Sequence, residues 1–81
     1  MQVTVRLFAA HREAAGTHVV VAELPDGATV SDALERVCAQ HPAIAKSARG
    51  IAFALNRTHV SADAALADGD EVALLPPVAG G

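Results

Sequence analysis

The sequence contains a single cysteine, Cys38, so an internal disulfide is excluded. The four histidines, at positions 11, 18, 41 and 59, do not have the close pairwise spacing of zinc ligands. We therefore expect no metal site and place the histidines at the surface. An unpaired cysteine is typical of cytoplasmic proteins, and we expect that location here. An 81-residue chain without a cross-link has to be stabilised by one small hydrophobic core.

Aromatic residues are also scarce, since the chain has two phenylalanines and neither tyrosine nor tryptophan. Six basic residues are scattered along the sequence, and nine acidic residues bring the net charge to −3. Nucleic-acid binding requires clustered cations, often beside aromatic side chains, so we expect no nucleic-acid partner. No apolar run approaches the roughly 18 residues that suggest a membrane-spanning helix, so we expect no membrane partner either.

Apolar residues are plentiful, at 52% of the chain, and their periodicity predicts both strands and helices. Five segments have the alternation or the valine-rich composition of β-strands: 2–8, 17–24, 51–55, 58–61 and 71–75. Segments 11–15 and 63–67 are each expected to form a short helical turn. Turn sequences separate several of these segments, among them Pro25-Asp26-Gly27 and Asp68-Gly69-Asp70.

One longer helix is predicted between residues 29 and 41. Thr29 and Asp32 have the spacing of an N-terminal capping box. The helix should end at His41-Pro42, because a residue that precedes proline avoids the α conformation. We expect one apolar stripe of this helix to be buried, formed by Val30, Ala33, Leu34, Val37 and Cys38. Within it, we expect Cys38 to be a small buried hydrophobe rather than a reactive thiol.

The predicted order is β-β-α-β-β-β, with one main helix. An antiparallel first hairpin, a helix across one face and a last strand that returns to the centre describe an α+β fold of the β-grasp, or ubiquitin-like, type. Its mixed sheet would have four to five strands. Element order alone leaves ferredoxin-like and other α+β folds open. We expect a β-grasp domain over residues 1–75 and a flexible C-terminal tail over residues 76–81.

The tail has an unusual composition, Pro76-Pro77-Val78-Ala79-Gly80-Gly81. Two prolines cannot continue a central strand and favour the polyproline II conformation, in which six residues extend about 19 Å. Glycine is the residue that costs most backbone entropy to order. The tail therefore either has no function or is a thin projection suited to a narrow channel in a partner protein.

Strand parity separates two sets of apolar side chains. Val3, Val5 and Leu7 share one face of the sheet, and we expect the main helix to cover it. Phe8 and Leu75 then lie on the uncovered face. They either cover each other without further consequence or form a docking patch beside the tail.

Two segments of the chain resemble the sulfur-carrier subunits of molybdopterin synthase. The first is VRLFAAHREAAG at residues 5–16, and the second is NRTHVSADAALADGDEVALLPPVAGG at residues 56–81. The resemblance covers essentially the whole chain, and its most specific parts are the turn and strand at 68–72 and the closing PPVAGG. It implies a β-grasp fold.

The resemblance also implies chemistry at the carboxylate of Gly81. A ubiquitin-activating-like adenylyltransferase would use ATP to adenylate it, and a sulfur donor protein would convert it to a thiocarboxylate. The large subunit of the synthase would take up the tail residues Val78, Ala79 and Gly80 and use the sulfur for the molybdopterin dithiolene. The implied partner interface, in a heterotetramer, contains Phe8, His59, Leu75, Pro76 and Pro77.

By this resemblance the chain is the sulfur-donating subunit of a sulfurtransferase. It would bind no cofactor and supply no catalytic side chain, because catalysis would reside in the large subunit. Three alternatives stay open. They are a sulfur carrier for thiazole and thiamine synthesis, a ubiquitin-like modifier joined to lysine, and a purely structural interaction domain.

Overall fold

The computed structural model describes residues 1–46 and 49–77, which form five strands and three helices. The strands are β1 (Gln2–Leu7), β2 (Val19–Glu23), β3 (Ala52–Leu55), β4 (Thr58–Val60) and β5 (Glu71–Leu75). The helices are α1 (Ala9–Ala15), α2 (Val30–Gln40) and α3 (Pro42–Ala45). None of these helices has the length and hydropathy that a membrane span requires.

The strands form one mixed sheet in the order β2-β1-β5-β3-β4. β1 pairs with β2 in antiparallel and with β5 in parallel orientation, while β3 is antiparallel to both β5 and β4. The last strand therefore lies at the centre. This arrangement confirms the predicted β-grasp fold with one main helix.

The capping box of α2 forms as predicted. The backbone N–H of Asp32 donates to Thr29 Oγ1 at 3.4 Å, and the backbone N–H of Thr29 donates to Asp32 Oδ2 at 2.8 Å. The predicted stripe is only partly correct, because Leu34 and Cys38 are half-buried at its flank. Its fully buried members are Val30, Ala33 and Val37.

The core fills the space between α2 and one face of the sheet. Alternate residues of β1, β2 and β5 supply half of it, as expected for a sheet with one covered face. Its members include Val3, Val5, Leu7, Val20, Ala22, Val30, Ala33, Val37, Ile44, Val72 and Leu74.

The prediction of surface histidines is wrong for His11, which is fully buried in α1. This helix follows β1 directly and packs against α3, so one of its faces closes the end of the core. An imidazole has an apolar body that suits such a position. His18 and His59 are exposed, and His41 is half-buried.

Residues 63–67 do not form the predicted helical turn. Instead this segment runs across the start of α2, where Ala65 forms an isolated bridge with Thr29. The backbone N–H of Val30 donates to the Ala64 carbonyl at 3.0 Å. The first N–H groups of a helix have no hydrogen-bond partner within the helix. Here the carbonyl of Ala64 provides that partner for Val30.

Candidate functional site

One face of the sheet, here named the outer face, lies opposite to α2. It is formed by the strand residues that alternate with the buried ones. The register places the following side chains on it: Thr4, Arg6, Val19, Val21, Ala52, Ala54, His59, Glu71, Ala73 and Leu75. No helix covers them in the described part of the chain, and all of them except Ala54 are at least partly exposed.

Phe8 and Leu75 lie at the end of the outer face from which the tail leaves. In the parallel pairing Leu7 is opposite Leu74, so the next pair in the register is Phe8 and Leu75. Phe8 has an extended backbone and is 42% exposed, while Leu75 is half-buried. Continuation of the register therefore places these two predicted site residues at the same end of the outer face.

The backbone reverses immediately after Phe8. Ala9 has a φ of +50°, in the left-handed region, where a residue with a Cβ is disfavoured by about 1–2 kcal/mol. This reversal ends β1 and begins α1. It leaves Phe8 outside the helix, at the margin of the sheet.

His59 lies on the outer face too, but on the edge strand β4. It pairs with Ala54, which in turn pairs with Ala73 of the central strand. The His59 side chain is exposed. The predicted interface residues Phe8, His59 and Leu75 thus share one face, with His59 at its edge.

An ion pair crosses the outer face below this apolar end. Arg6 Nε lies 2.8 Å from Glu71 Oε2, and both side chains are partly exposed. An exposed pair of this kind contributes only about 0–1 kcal/mol to stability. The pair was not predicted, because it depends on the register of β1 with β5.

The start of the tail lies against the connection between α3 and β3. Ala52 pairs with Leu75, which brings Gly50 close to the two prolines. A Cβ placed on Gly50 would lie 3.5 Å from Pro77 Cβ and 3.6 Å from Pro77 Cγ. Pro76 is half-buried and Pro77 exposed. This proximity was not predicted from the sequence.

The predicted tail residues Val78, Ala79, Gly80 and Gly81 lie outside the described residues. Within residues 1–46 and 49–77, no group of three histidine, cysteine or acidic side chains is arranged to hold a metal ion. A shallow depression of about 320 Å³ lies between the end of β2 and α2, at the opposite end of the sheet from Pro77. The described candidate site is therefore a docking face and a tail exit.

Comparison with known proteins places this geometry in a family. The profile described as the ThiS family matches residues 5–81. A molybdopterin synthase sulfur carrier subunit from Chlamydomonas reinhardtii is 45% identical over 100% of both chains. The crystal structure of Haloferax volcanii small archaeal modifier protein 1 has a TM-score of 0.90 at 33% identity, covering 95% of this chain and 98% of that one.

A third relative was solved as an assembly. It is the protein–protein complex of subunits 1 and 2 of the molybdopterin-converting factor from Helicobacter pylori. The matching chain has a TM-score of 0.69 at 27% identity, and the match covers 100% of both chains. These findings confirm the resemblance inferred from the sequence.

Proposed function

We propose that this chain, which belongs to the ThiS family, is the sulfur carrier of molybdopterin synthase. The observation that carries the proposal is the end-to-end match, at 45% identity, with a protein of that name. In this function the chain delivers sulfur from the carboxyl group of Gly81 and binds no cofactor of its own. We place the reaction in the cytoplasm.

The first step activates the Gly81 carboxylate, which is a poor electrophile. On a ubiquitin-activating-like adenylyltransferase, a carboxylate oxygen attacks the α-phosphorus of ATP and displaces pyrophosphate. The product is an acyl adenylate with AMP as its leaving group. Because the activating partner binds and positions ATP, the only requirement on the carrier in this step is an accessible C-terminus.

The second step installs sulfur. A persulfide sulfur of the donor protein attacks the acyl carbon, AMP leaves, and an acyl disulfide forms. A thiol then reduces its S–S bond, which releases the thiocarboxylate and leaves the thiol oxidised. The thiocarboxylate sulfur is a better nucleophile than the original carboxylate oxygen, so activation and sulfur loading together prepare the carrier for transfer.

The third step takes place on the large subunit of the synthase, which we propose to hold the acids, bases and phosphate-binding groups. The thiocarboxylate sulfur attacks an electrophilic carbon of the pterin precursor, an oxygen substituent of that carbon leaves, and water then cleaves the acyl–sulfur bond to restore the Gly81 carboxylate. Each delivery transfers one sulfur atom, so the two sulfurs of a dithiolene require two loaded carriers.

The outer face is proposed to bind the large subunit in a heterotetramer. Phe8 and Leu75 form an apolar area directly beside Pro76 and Pro77, so a partner that covers this area also meets the start of the tail. The Helicobacter pylori relative was solved as a complex of subunits 1 and 2, which supports association with a second subunit. Exposed apolar area at the point where the reactive segment departs is the physical argument for docking there.

The test is a loading reaction. The chain is incubated with the activating enzyme, ATP, a persulfide donor and a thiol reductant, and its intact mass is measured. We expect an increase that corresponds to the exchange of one oxygen for sulfur, located in the C-terminal peptide. Reactions without ATP are the control. A chain that reacts with ATP but never gains sulfur would contradict the carrier function.

A second candidate function is attachment to other proteins. The likeness to the small archaeal modifier protein favours it, since that relative matches over 95% of this chain. In this case the activated Gly81 would form an isopeptide bond with a lysine amine, with AMP or a thiol leaving. Thiol-resistant conjugates of higher mass, containing a lysine linked to Gly81, would identify this activity. Their absence in cells that contain the thiocarboxylate would exclude it.

A further inference from the structure

Strand β2 forms one edge of the sheet, so only one side of its backbone is paired with another strand. The amine of Met1 donates to the Leu24 carbonyl at 2.7 Å, and the Leu24 N–H donates to the Met1 carbonyl at 2.8 Å. The direction of hydrogen bonding alternates from residue to residue along an antiparallel strand. The backbone N–H and C=O groups of Val19, Val21 and Glu23 therefore point away from β1, out of the edge of the sheet.

This edge has few of the features that usually prevent pairing with another strand. An unpaired edge is a template for a further strand unless proline, charge or short length blocks it. β2 has the sequence VVVAE, without proline and with its one charge at the last position, and Val21 is 49% exposed. The opposite edge strand, β4, has only three residues. In the described part of the chain, the outward backbone groups of Val21 and Glu23 form no hydrogen bond.

The outward groups of Val19 are occupied, in contrast, by a side chain of the same segment. The hydroxyl of Thr17 donates to the Val19 carbonyl at 3.1 Å. The same oxygen accepts from the Val19 N–H at 3.3 Å. A residue of a neighbouring antiparallel strand would form these same two bonds with Val19. Thr17 thus takes the place of a pairing strand at the first residue of β2.

We infer that the β2 edge is a surface for self-association and that the Thr17 hydroxyl keeps it closed. The occupant that fits this edge is β2 of a second copy, antiparallel and related by a two-fold axis at Val21. Each Val21 is then opposite its counterpart, and Val19 is opposite Glu23, so no like charges face each other. Pairing at Val19 competes with the hydroxyl in both copies, and only the pair at Val21 is unopposed.

The test compares two substitutions at one position. Thr17→Ala removes the hydroxyl and Thr17→Ser keeps it, so the two variants differ in that group alone. Thr4→Ala is a second control, since Thr4 lies on the outer face but on the interior strand β1. Association of the purified full chain is measured by sedimentation equilibrium over a wide range of concentration. Hydrogen exchange of the Val21 N–H is followed by NMR in the same samples.

We expect Thr17→Ala to strengthen association by about tenfold to a thousandfold, because the N–H and C=O of Val19 become free to pair in each copy. Thr17→Ser and Thr4→Ala should behave like the wild type. In the associated Thr17→Ala chain, the Val21 N–H should exchange more slowly than in the wild type. Addition of Val21→Pro to this variant should reverse the association, because proline has no N–H to donate and is tolerated on an edge strand.

Equal association of Thr17→Ala and Thr17→Ser would overturn the inference. Association of Thr17→Ala that leaves exchange at Val21 unchanged would also overturn it, because the contact would then lie elsewhere on the chain. If Thr17→Ala does not fold, Thr17→Val takes its place, since it removes the hydroxyl and keeps the shape of the side chain. Association of that variant no stronger than that of the wild type overturns the inference equally.

Discussion

Asn56 donates a hydrogen bond from Nδ2 to Asp70 Oδ1 at 3.0 Å, and so joins the turn between β3 and β4 to the start of β5. The same side chain accepts a hydrogen bond from the Glu71 backbone N–H at 3.0 Å. Asp70 uses its other oxygen to accept from the Ala67 N–H at 2.8 Å. These contacts anchor the end of the central strand that lies away from the tail.

We expect Asn56→Ala to destabilise the fold by about 1–3 kcal/mol, because it removes two side-chain hydrogen bonds and leaves their partners to solvent. Asn56 also has a φ of +49°, a conformation that alanine accepts less readily. The measurement is the free energy of unfolding in urea. Glu35→Ala, an exposed position on α2, is the control and should stay within about 0.5 kcal/mol of the wild type. Equal losses of unfolding free energy for Asn56→Ala and Glu35→Ala would show that the hydrogen bonds of Asn56 do not stabilise the fold.

The core offers a second comparison, between two leucines. Leu74 of β5 is fully buried, whereas Leu34 of α2 is half-buried at the margin of the core. Leu74→Ala should cost about 2–5 kcal/mol, and Leu34→Ala should cost clearly less, because its side chain leaves a smaller cavity. Urea denaturation of both variants checks this. A larger loss at Leu34 would mean that the burial of α2 is wrongly assigned.

The contrast between these two leucines shows how far the sequence could predict the fold. The spacing of Thr29 and Asp32 identified the start of α2, since capping is a local interaction. The 3.6-residue periodicity correctly selected Val30, Ala33 and Val37 but could not define the edge of the stripe. How deeply an edge residue such as Leu34 is buried depends on the elements that pack around it.

The predictions that failed depended on contacts distant in sequence. His11 belongs to a seven-residue helix, too short for its buried face to be read from periodicity, and its burial follows from the packing of α1 against α3. Residues 63–67 have local signals for a helical turn, yet the Ala64 carbonyl accepts a hydrogen bond from the Val30 N–H at the start of α2. The proximity of Pro77 to Gly50 follows from the register of β3 with β5. Strand parity, in contrast, was sufficient to place Phe8 and Leu75.

The docking face can be tested with Leu75→Asp. A charge at this position should weaken binding to the large subunit at least tenfold, since burial of a leucine contributes about 1.5–3 kcal/mol. The fold should persist, because Leu75 points away from the core. Val21→Asp is the matched control. Val21 is 49% exposed on the same face, but it lies on β2, away from the tail.

Binding is measured by calorimetry with the purified large subunit. An unchanged affinity for the folded Leu75→Asp variant would show that the apolar area beside the tail is not the docking surface. Equal weakening by both substitutions would extend the interface across the whole outer face.

Cys38 should be a slow thiol. Desolvation of the half-buried side chain raises its pKa above the usual value, so less thiolate is present at a given pH. We expect alkylation by iodoacetamide at pH 8 to be slower in the folded chain than in the same chain unfolded in urea. The rate should rise with pH towards a midpoint above that of the unfolded thiol. Equal rates in the two states, followed by intact mass, would contradict this assignment.

The tail gives the most direct prediction for function. Deletion of Gly81 should abolish sulfur loading, because the carboxylate would end one residue short of the α-phosphate of ATP. An added bulky residue after Gly81 should be equally harmful, since it moves the carboxylate past that position. Gly80→Val should slow loading, because a narrow channel leaves little room for a branched side chain.

All three tail variants should melt like the wild type, since the buried core of the described residues ends at Leu74. We therefore expect these variants to keep the thermal unfolding of the wild type while sulfur incorporation is lost or slowed. Loading is followed by intact mass and by ATP–pyrophosphate exchange, which reports adenylation alone. A chain that lacks Gly81 and still supports molybdopterin formation at the normal rate would show that the reaction does not use this carboxylate, and the tail would then be idle.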